Sequence, residues 1–263
     1  MVSRKPRKIA VANEKGGVGK TATILNLGAA LSLKGRKVLI IDMDPQFNAT
    51  LGLGIQSEDV ELSVYDLMQS SGEQAASRAV MPTRWEGLDL IPSVPDLSGA
   101  EVELVNVEGR ENRLKDGLDG LEGAYDYILL DTPPSLSLLT VNVFAYAREV
   151  LVPCQTHPYA FGALGELFDT IEVIRRGINP GLETSGVVAT FYDQRTRVSN
   201  NTLAKLKNDK QYGPLLCDTV IRANTTVAES ADVGKPVVFY RPGSFGARDY
   251  VQLAEEVTGL GRA

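Results

Sequence analysis

The chain has 263 residues, 43% of them hydrophobic, enough for one sizeable core in a single domain with small elaborations. A net charge of -6 and a pI near 5.0 exclude a protein that is basic all over, so any nucleic-acid contact has to come from a local patch. No apolar run approaches the roughly 18 residues of a membrane span, and the basic start MVSRKPRK passes directly into a strand without a signal-peptide core, which predicts a cytoplasmic protein with no membrane contact.

Residues 1–8 read as a basic tail carrying Arg4, Lys5, Arg7 and Lys8, and residues 9–263 as the domain, with no room for a separate DNA-binding module. Cys154 and Cys217 have no metal-ligand spacing and are expected in buried strands. The single histidine, His157, reads as a loop residue.

The stretch IAVANEKGGVGKTA, residues 9–22, joins a strand to a helix through a glycine-rich loop. Gly16, Gly17 and Gly19 let the chain turn with backbone N–H groups facing inward around Val18. The helix beginning at Lys20, Thr21 and Ala22 points its positive end into the same hollow. This is a phosphate cradle: Lys20 is placed to reach the β and γ oxygens of a nucleotide and the Thr21 hydroxyl to ligate Mg²⁺. The strict G-x-x-x-x-G-K-[ST] pattern is not met, because Glu14 stands in the first glycine slot, and an extra lysine, Lys15, follows it. With Lys20 serving its own nucleotide, Lys15 is free to reach one held by a second subunit, which predicts a dimer closed over ATP. The competing reading makes Lys15 one more solvated charge.

The first helix is expected from Lys20 to Lys34, ending at Gly35, followed by the strand KVLIIDMD. Asp42 and Asp44 fall at its C-terminal end, where an open parallel sheet keeps its ligand crevice. Residues 45–87 carry Gln46, Asn48, the amphipathic piece SVYDLM and a helix ending before Pro82. LDLIPS reads as a strand, and EVELVNVEGRENRLKDGLDGL as a helical stretch interrupted at Gly109. The strand YDYILLD ends in Asp131, a carboxylate after four apolar residues, as in a Walker B strand. The strand EVLVPCQ, the helix GALGELFDTIEVIRR, the strand SGVVATFY, a helix from Ser199 to Asp209, the strand LLCDTVI and a helix from Phe245 to Val257 complete the series. The alternation predicts an α/β fold, a mainly parallel twisted sheet with helices on both faces.

The loop resembles the deviant Walker A of the ParA/MinD family of ATPases. DMDPQFNAT, YDYILLDTPPSLSLLTVN, FYDQRTRVSNNTL and VGKPVVFYRPGSFGARDYVQLAEEV are each similar to matching parts of ParA-type partition ATPases, in the family's order. The resemblance implies an ATPase that uses ATP and Mg²⁺ and that dimerises. It implies that Asp44 orients the attacking water, with Asp42 and Asp131 supporting the Mg²⁺ shell and Lys15 and Lys20 serving catalysis. It also implies backbone contacts to adenine near Ile221, Arg222 and Asn224, with Asp193 close by, although polar loop residues with no nucleotide role fit the same letters. The partners implied are nonspecific double-stranded DNA of the nucleoid and a ParB-like adaptor. The alternative is a MinD/MipZ-like spatial regulator of cell division or organelle positioning.

Two departures stand out. Phe47 occupies a place where the family usually has glycine, and IRANTTVAES replaces a segment close to PRNVRLSEAP, leaving Ala223 and Thr226 where two arginines are usual. DNA contacts then fall to Arg195, Arg197, Lys205, Lys207 and Arg222, a local positive patch whose competing reading is a solvated helix face.

Overall fold

Six of the seven strands are buried along most of their length, and the central β2 and β5 along all of it, as parallel strands covered on both faces must be. The computed structural model describes residues 5–69 and 73–259. In chain order the elements are β1 (Arg7–Val11), α1 (Lys20–Leu33), β2 (Val38–Asp42), α2 (Asn48–Gly52), α3 (Val64–Gln69), α4 (Glu73–Ala79), β3 (Met81–Pro82), β4 (Leu88–Ile91), α5 (Leu97–Glu103) and α6 (Arg113–Gly117). The second half adds β5 (Tyr127–Asp131), α7 (Leu138–Tyr146), β6 (Glu149–Gln155), α8 (Ala160–Gly177), β7 (Glu183–Thr190), α9 (Arg197–Asn208), α10 (Thr225–Asp232), α11 (Val237–Tyr240) and α12 (Phe245–Gly259). The sheet order is β3-β4-β2-β5-β1-β6-β7, with β3 alone antiparallel, so the expected α/β architecture is the one observed.

Strand alternation divides the core. Ile9 and Val11 of β1 and Val38 and Ile40 of β2 pack with Ile24, Leu27 and Leu31 of α1 and Tyr250 and Leu253 of α12. Ala10, Leu39 and Ile41 face the other way, against Leu67 of α3, Leu114 of α6, Phe144 of α7 and Leu164 of α8. No helix among the described residues is long and apolar enough to cross a membrane.

Several boundaries differ from expectation for identifiable reasons. Arg7 and Lys8 belong to β1 and not to a tail: Arg7 bridges to Glu149 on β6, and Lys8 pairs with Glu122 and lies over the Tyr146 ring, which completes the strand's N-terminal end. Lys5 is exposed, and Arg4 lies outside the described residues. The stretch around Gly109 is two helices, α5 and α6, separated at that glycine. α2, α7, α10 and α11 carry no expectation from the sequence. β2 stops at Asp42, so Asp44 sits in the following turn and not on the strand with it.

The segment LLCDTVI is not a strand. It is tied to β7 by the Cys217 and Ile221 N–H groups, which donate to the Val187 and Ala189 carbonyls at 2.9 and 2.8 Å, and otherwise by isolated bridges, Val187 with Leu216 and, just beyond both segments, Tyr192 with Arg222. Between them the chain bows outward, and the amides of Asp218 and Thr219 donate instead to the Glu256 carboxylate on α12, at 2.7 and 2.9 Å. Cys217 is buried all the same, as is Cys154 on β6, and burial pushes both thiols up to about 12.

Hydrogen bonds to a charged group contribute about 1.5–3 kcal/mol. Glu256→Ala is therefore expected to lower the unfolding free energy by about 2 kcal/mol in urea titration, with Glu256→Gln intermediate because it keeps one acceptor.

Candidate nucleotide site

The loop from Glu14 to Gly19 connects β1 to α1. Gly17 and Gly19 have φ of 73° and 89°, a left-handed backbone that would strain any side chain, and Gly19 sits directly before the first residue of α1. No side chain caps that helix, so the amides of its first turn are left to face the loop. Asn13 braces the base: its amide donates to the Pro153 carbonyl at 2.8 Å and its Oδ1 accepts from the Lys15 N–H at 2.9 Å. On the far side the Thr190 hydroxyl donates to the Val18 carbonyl at 2.9 Å, tying the loop to the end of β7. Glu14 accepts from Thr170 of α8 at 3.3 Å, so the residue in the unusual slot anchors the loop sideways.

Lys20 is buried, and its Nζ donates to the Lys15 carbonyl at 3.4 Å. Burial lowers its pKa, while the Asp131 and Asp44 carboxylates act to raise it. Lys15 is half-buried. Its ammonium acts electrostatically on Cys154, and the residue does not line the cleft above the loop.

Asp42 and Asp131 are paired across β2 and β5 in register, and both are fully buried. Desolvation raises both carboxyls well above the usual range, and their mutual repulsion adds to the rise of Asp131. Their surroundings differ. Asp42 Oδ2 accepts from the N–H and the hydroxyl of Thr50, both at 2.8 Å, and its Oδ1 accepts from the Asp44 N–H at 3.2 Å. Three of a carboxylate's four acceptor positions are thus taken. Asp131 Oδ1 accepts from the Thr132 N–H at 3.1 Å, but its Oδ2 is buried without a partner, and the Thr21 hydroxyl lies beside it. A hard cation that keeps most of its water and takes one or two carboxylates fits an orphaned oxygen next to a hydroxyl at the phosphate loop. Asp131 and Thr21 fit Mg²⁺ better than Asp42, whose lone pairs hold the Asp44 turn together.

In that turn Asp44 Oδ1 accepts from the Gln46 N–H at 3.0 Å and its carbonyl accepts from the Phe47 N–H at 2.8 Å. Phe47 has φ of 45°, the left-handed region in which glycine is at ease. The glycine that the resemblance leads one to expect here would adopt this backbone without strain.

A cleft of about 980 Å³ opens over the loop, lined there by Gly16, Gly17, Gly19, Lys20, Thr21, Ala22 and Asp44. It continues along Leu25 and Asn26 to Val227, Gly234, Lys235 and Arg84. The residues expected around adenine are not among its lining. Ile221 is buried; Arg222 is held by Asp249, which accepts from its backbone N–H and its guanidinium; Asn224 caps α10 by accepting from the Thr226 N–H at 2.8 Å. Asp193 pairs with Arg195. Phe191 does line the cleft, its ring packed over Gly19 and its φ 51°. Sequence reasoning assigned it nothing, and its only signal was its place at the end of a strand.

The basic patch is narrower than expected. Arg222 and Arg195 are each engaged by a carboxylate, and Arg222 also stacks on Phe245. On α9 the buried stripe is Ser199, Thr202 and Leu206, which leaves Arg197, Lys205 and Lys207 exposed, with no ion-pair partner among the described residues.

A family model described as an AAA domain matches residues 6–184. The chain is 42% identical over 253 residues to the sporulation initiation inhibitor protein Soj of Bacillus subtilis, covering 96% of this chain and 98% of that protein. It is 43% identical to the chromosome partitioning protein ParA of Caulobacter vibrioides, covering 95% and 93% respectively. Among solved structures, one described as cobyrinic acid a,c-diamide synthase of Mycobacterium smegmatis, with bound ATP analogue and magnesium, superposes with a TM-score of 0.83 at 35% identity, covering 96% of this chain and 94% of that one.

The buried Asp131 carboxylate yields a prediction with a definite sign. A folded-state pKa above the unfolded value means that the native state binds the proton more tightly, so this group's contribution to stability falls as pH rises from the unfolded pKa through the folded one. Asp131→Asn removes that penalty. Its melting temperature without ligand should rise by a few degrees, more at pH 8 than at pH 5, since about 1 kcal/mol moves a domain of this size by roughly 2–4 °C. The increment that Mg²⁺ and ATP add to the parental melting temperature should disappear in the variant.

Proposed function

Because the chain belongs to the ParA/MinD family of P-loop ATPases, we propose that it hydrolyses ATP as a dimerising switch that binds DNA without sequence preference. With a ParB-like partner, which stimulates a weak basal turnover, it segregates or positions DNA or other cargo on the nucleoid in the cytoplasm. The observation that carries this reading is the loop's geometry. Lys20 is buried at the uncapped end of α1 beside Asp44 and Asp131, and one Asp131 oxygen has no protein partner.

In this reading the loop amides and the α1 terminus take the β-phosphate, and Lys20 spans the β and γ oxygens. Thr21 and Asp131 would hold Mg²⁺, which would neutralise phosphate charge. Asp44 lines the cleft beside Lys20, where its carboxylate orients a water in line with the γ-phosphate. Lys15 stays out of its own cleft and completes the site of a second copy, so closure and catalysis are one event. Phe191, over Gly19, shields the phosphates from one side. Amide synthesis, the activity in the mycobacterial protein's name, would use a second substrate site. The described residues supply no reactive thiol for a glutamine-derived nitrogen, since Cys154 and Cys217 are both buried and pushed up to about 12.

Phosphate release and sedimentation test the assignment. Lys20→Ala should lose ATP binding. Lys15→Ala should bind ATP as a monomer, and a normal dimer from it would remove the trans role. Asp44→Ala should bind ATP and accumulate as the dimer with turnover at least tenfold lower; parental turnover would assign the water elsewhere.

Few contacts per monomer, through Arg197, Lys205 and Lys207, should make DNA binding depend on the ATP dimer and fall steeply with salt, with a log-log slope of about -0.9 per phosphate neutralised. Titration of random-sequence duplex with salt, in ATP and in ADP, checks this. No ATP-dependent binding at low salt would separate the switch from DNA.

A further inference from the structure

The residues that hold the Asp44 turn are linked by a chain of hydrogen bonds, most of them buried, that runs through a hydroxyl with no role so far. Thr50 lies in α2, eight residues beyond Asp42, and is fully buried. Its Oγ donates to Asp42 Oδ2 at 2.8 Å and accepts from the backbone N–H of Ser93, just past β4, at 3.1 Å. Its own N–H donates to the same Asp42 oxygen at 2.8 Å. Asp42 in turn accepts from the Asp44 N–H, and Asp44 closes the turn on Gln46. One hydroxyl thus joins the ends of β4 and β2 to α2 and, through Asp42, sets the turn that carries Asp44 on the cleft wall.

We infer that Thr50 is a positioning residue for ATP hydrolysis, fixing the Asp44 turn through Asp42 and Ser93 without touching the nucleotide. The inference rests on the hydrolytic reading above. The physical argument is accounting. Asp42 is a buried carboxylate whose charged form is supported by three donors, two of them from Thr50. The Ser93 N–H is buried and has the Thr50 hydroxyl as its acceptor. Removing that hydroxyl leaves a buried carboxylate one donor short and a buried amide unpaired, and both faults lie behind Asp44. The backbone can answer by moving α2, and Phe47, already held at a left-handed φ at the α2 N-terminus, is the point of least resistance. The phosphate loop lies on a different connection, after β1, and makes no hydrogen bond to Thr50, so nucleotide binding should be spared.

The experiment measures steady-state phosphate release and equilibrium binding of an ATP analogue for the parental protein and for Thr50→Val, Thr50→Cys and Thr50→Ser. Expected for Thr50→Val is a kcat at least tenfold lower, with analogue affinity within threefold of parental. Thr50→Cys, which keeps a weak donor and folds if the valine variant does not, should be intermediate. Thr50→Ser, which restores the hydroxyl, should return kcat to within threefold of parental. A residue of merely structural importance would instead depress affinity, kcat and melting temperature together, and serine would not separate them. Parental kcat in both the valine and cysteine variants would overturn the positioning role while leaving hydrolysis standing. Absence of turnover in the parental protein, alone and with DNA and partner, would overturn the hydrolytic reading and this inference with it.

Discussion

Two carboxylates at the ends of neighbouring central strands are the constraint around which the nucleotide end of the molecule is arranged. β2 and β5 pair in register from Val38 with Tyr127 to Asp42 with Asp131, and every residue of both strands is buried. Apolar side chains on both faces leave no register in which the aspartates could reach water on either side. The charges end up side by side at the C-terminal edge, where desolvation and mutual repulsion oppose ionisation. A site held in this state is destabilised until positive charge arrives. Lys20 supplies part of it from the start of α1, and the orphaned Asp131 oxygen is where the remainder is missing.

The two aspartates answer the same problem differently. Asp42 accepts hydrogen bonds from Thr50 and the Asp44 amide, so its carboxylate becomes a structural anchor for the turn that follows. Asp131 keeps an open valence toward the phosphate loop. Burial disfavours the charged form of both, but hydrogen bonds offset part of that cost at Asp42 and less of it at Asp131, a division expected where a site has to bind and release a charged ligand. The turn after Asp42 holds Phe47 at φ of 45°, so that side of the cleft is held by hydrogen bonds against local backbone strain.

The outer surface obeys a different economy. Exposed charge on α9 is cheap to maintain, and Arg197, Lys205 and Lys207 stand free in a protein of net charge -6. Arg222, by contrast, is drawn into a pair with the buried Asp249 and stacked on Phe245, which turns a candidate phosphate contact into a clasp between the segment before α10 and α12. A surface whose cations, Arg197, Lys205 and Lys207 among them, have no ion pair among the described residues is weak alone and gains from being doubled.

The α/β alternation, the phosphate loop and the strand-end carboxylates were legible in the linear sequence because each is a local pattern. Apolar runs of four or five residues end in a charge, glycines sit at fixed offsets before Lys20, and helical periodicity resumes at once. The family resemblance rode on the same local patterns. What tertiary structure alone decided lies between segments distant in sequence. Whether LLCDTVI would pair as a strand depended on Glu256, some forty residues later, offering its carboxylate to two amides. Whether Arg222 was free depended on Asp249. The difference between Asp42 and Asp131, two strand-end aspartates alike in their local setting, came from Thr50 and from the register that set them together. Periodicity and composition carry burial, which is an average property of a segment. They do not carry the identity of a hydrogen-bond partner, which is fixed only when the chain has folded.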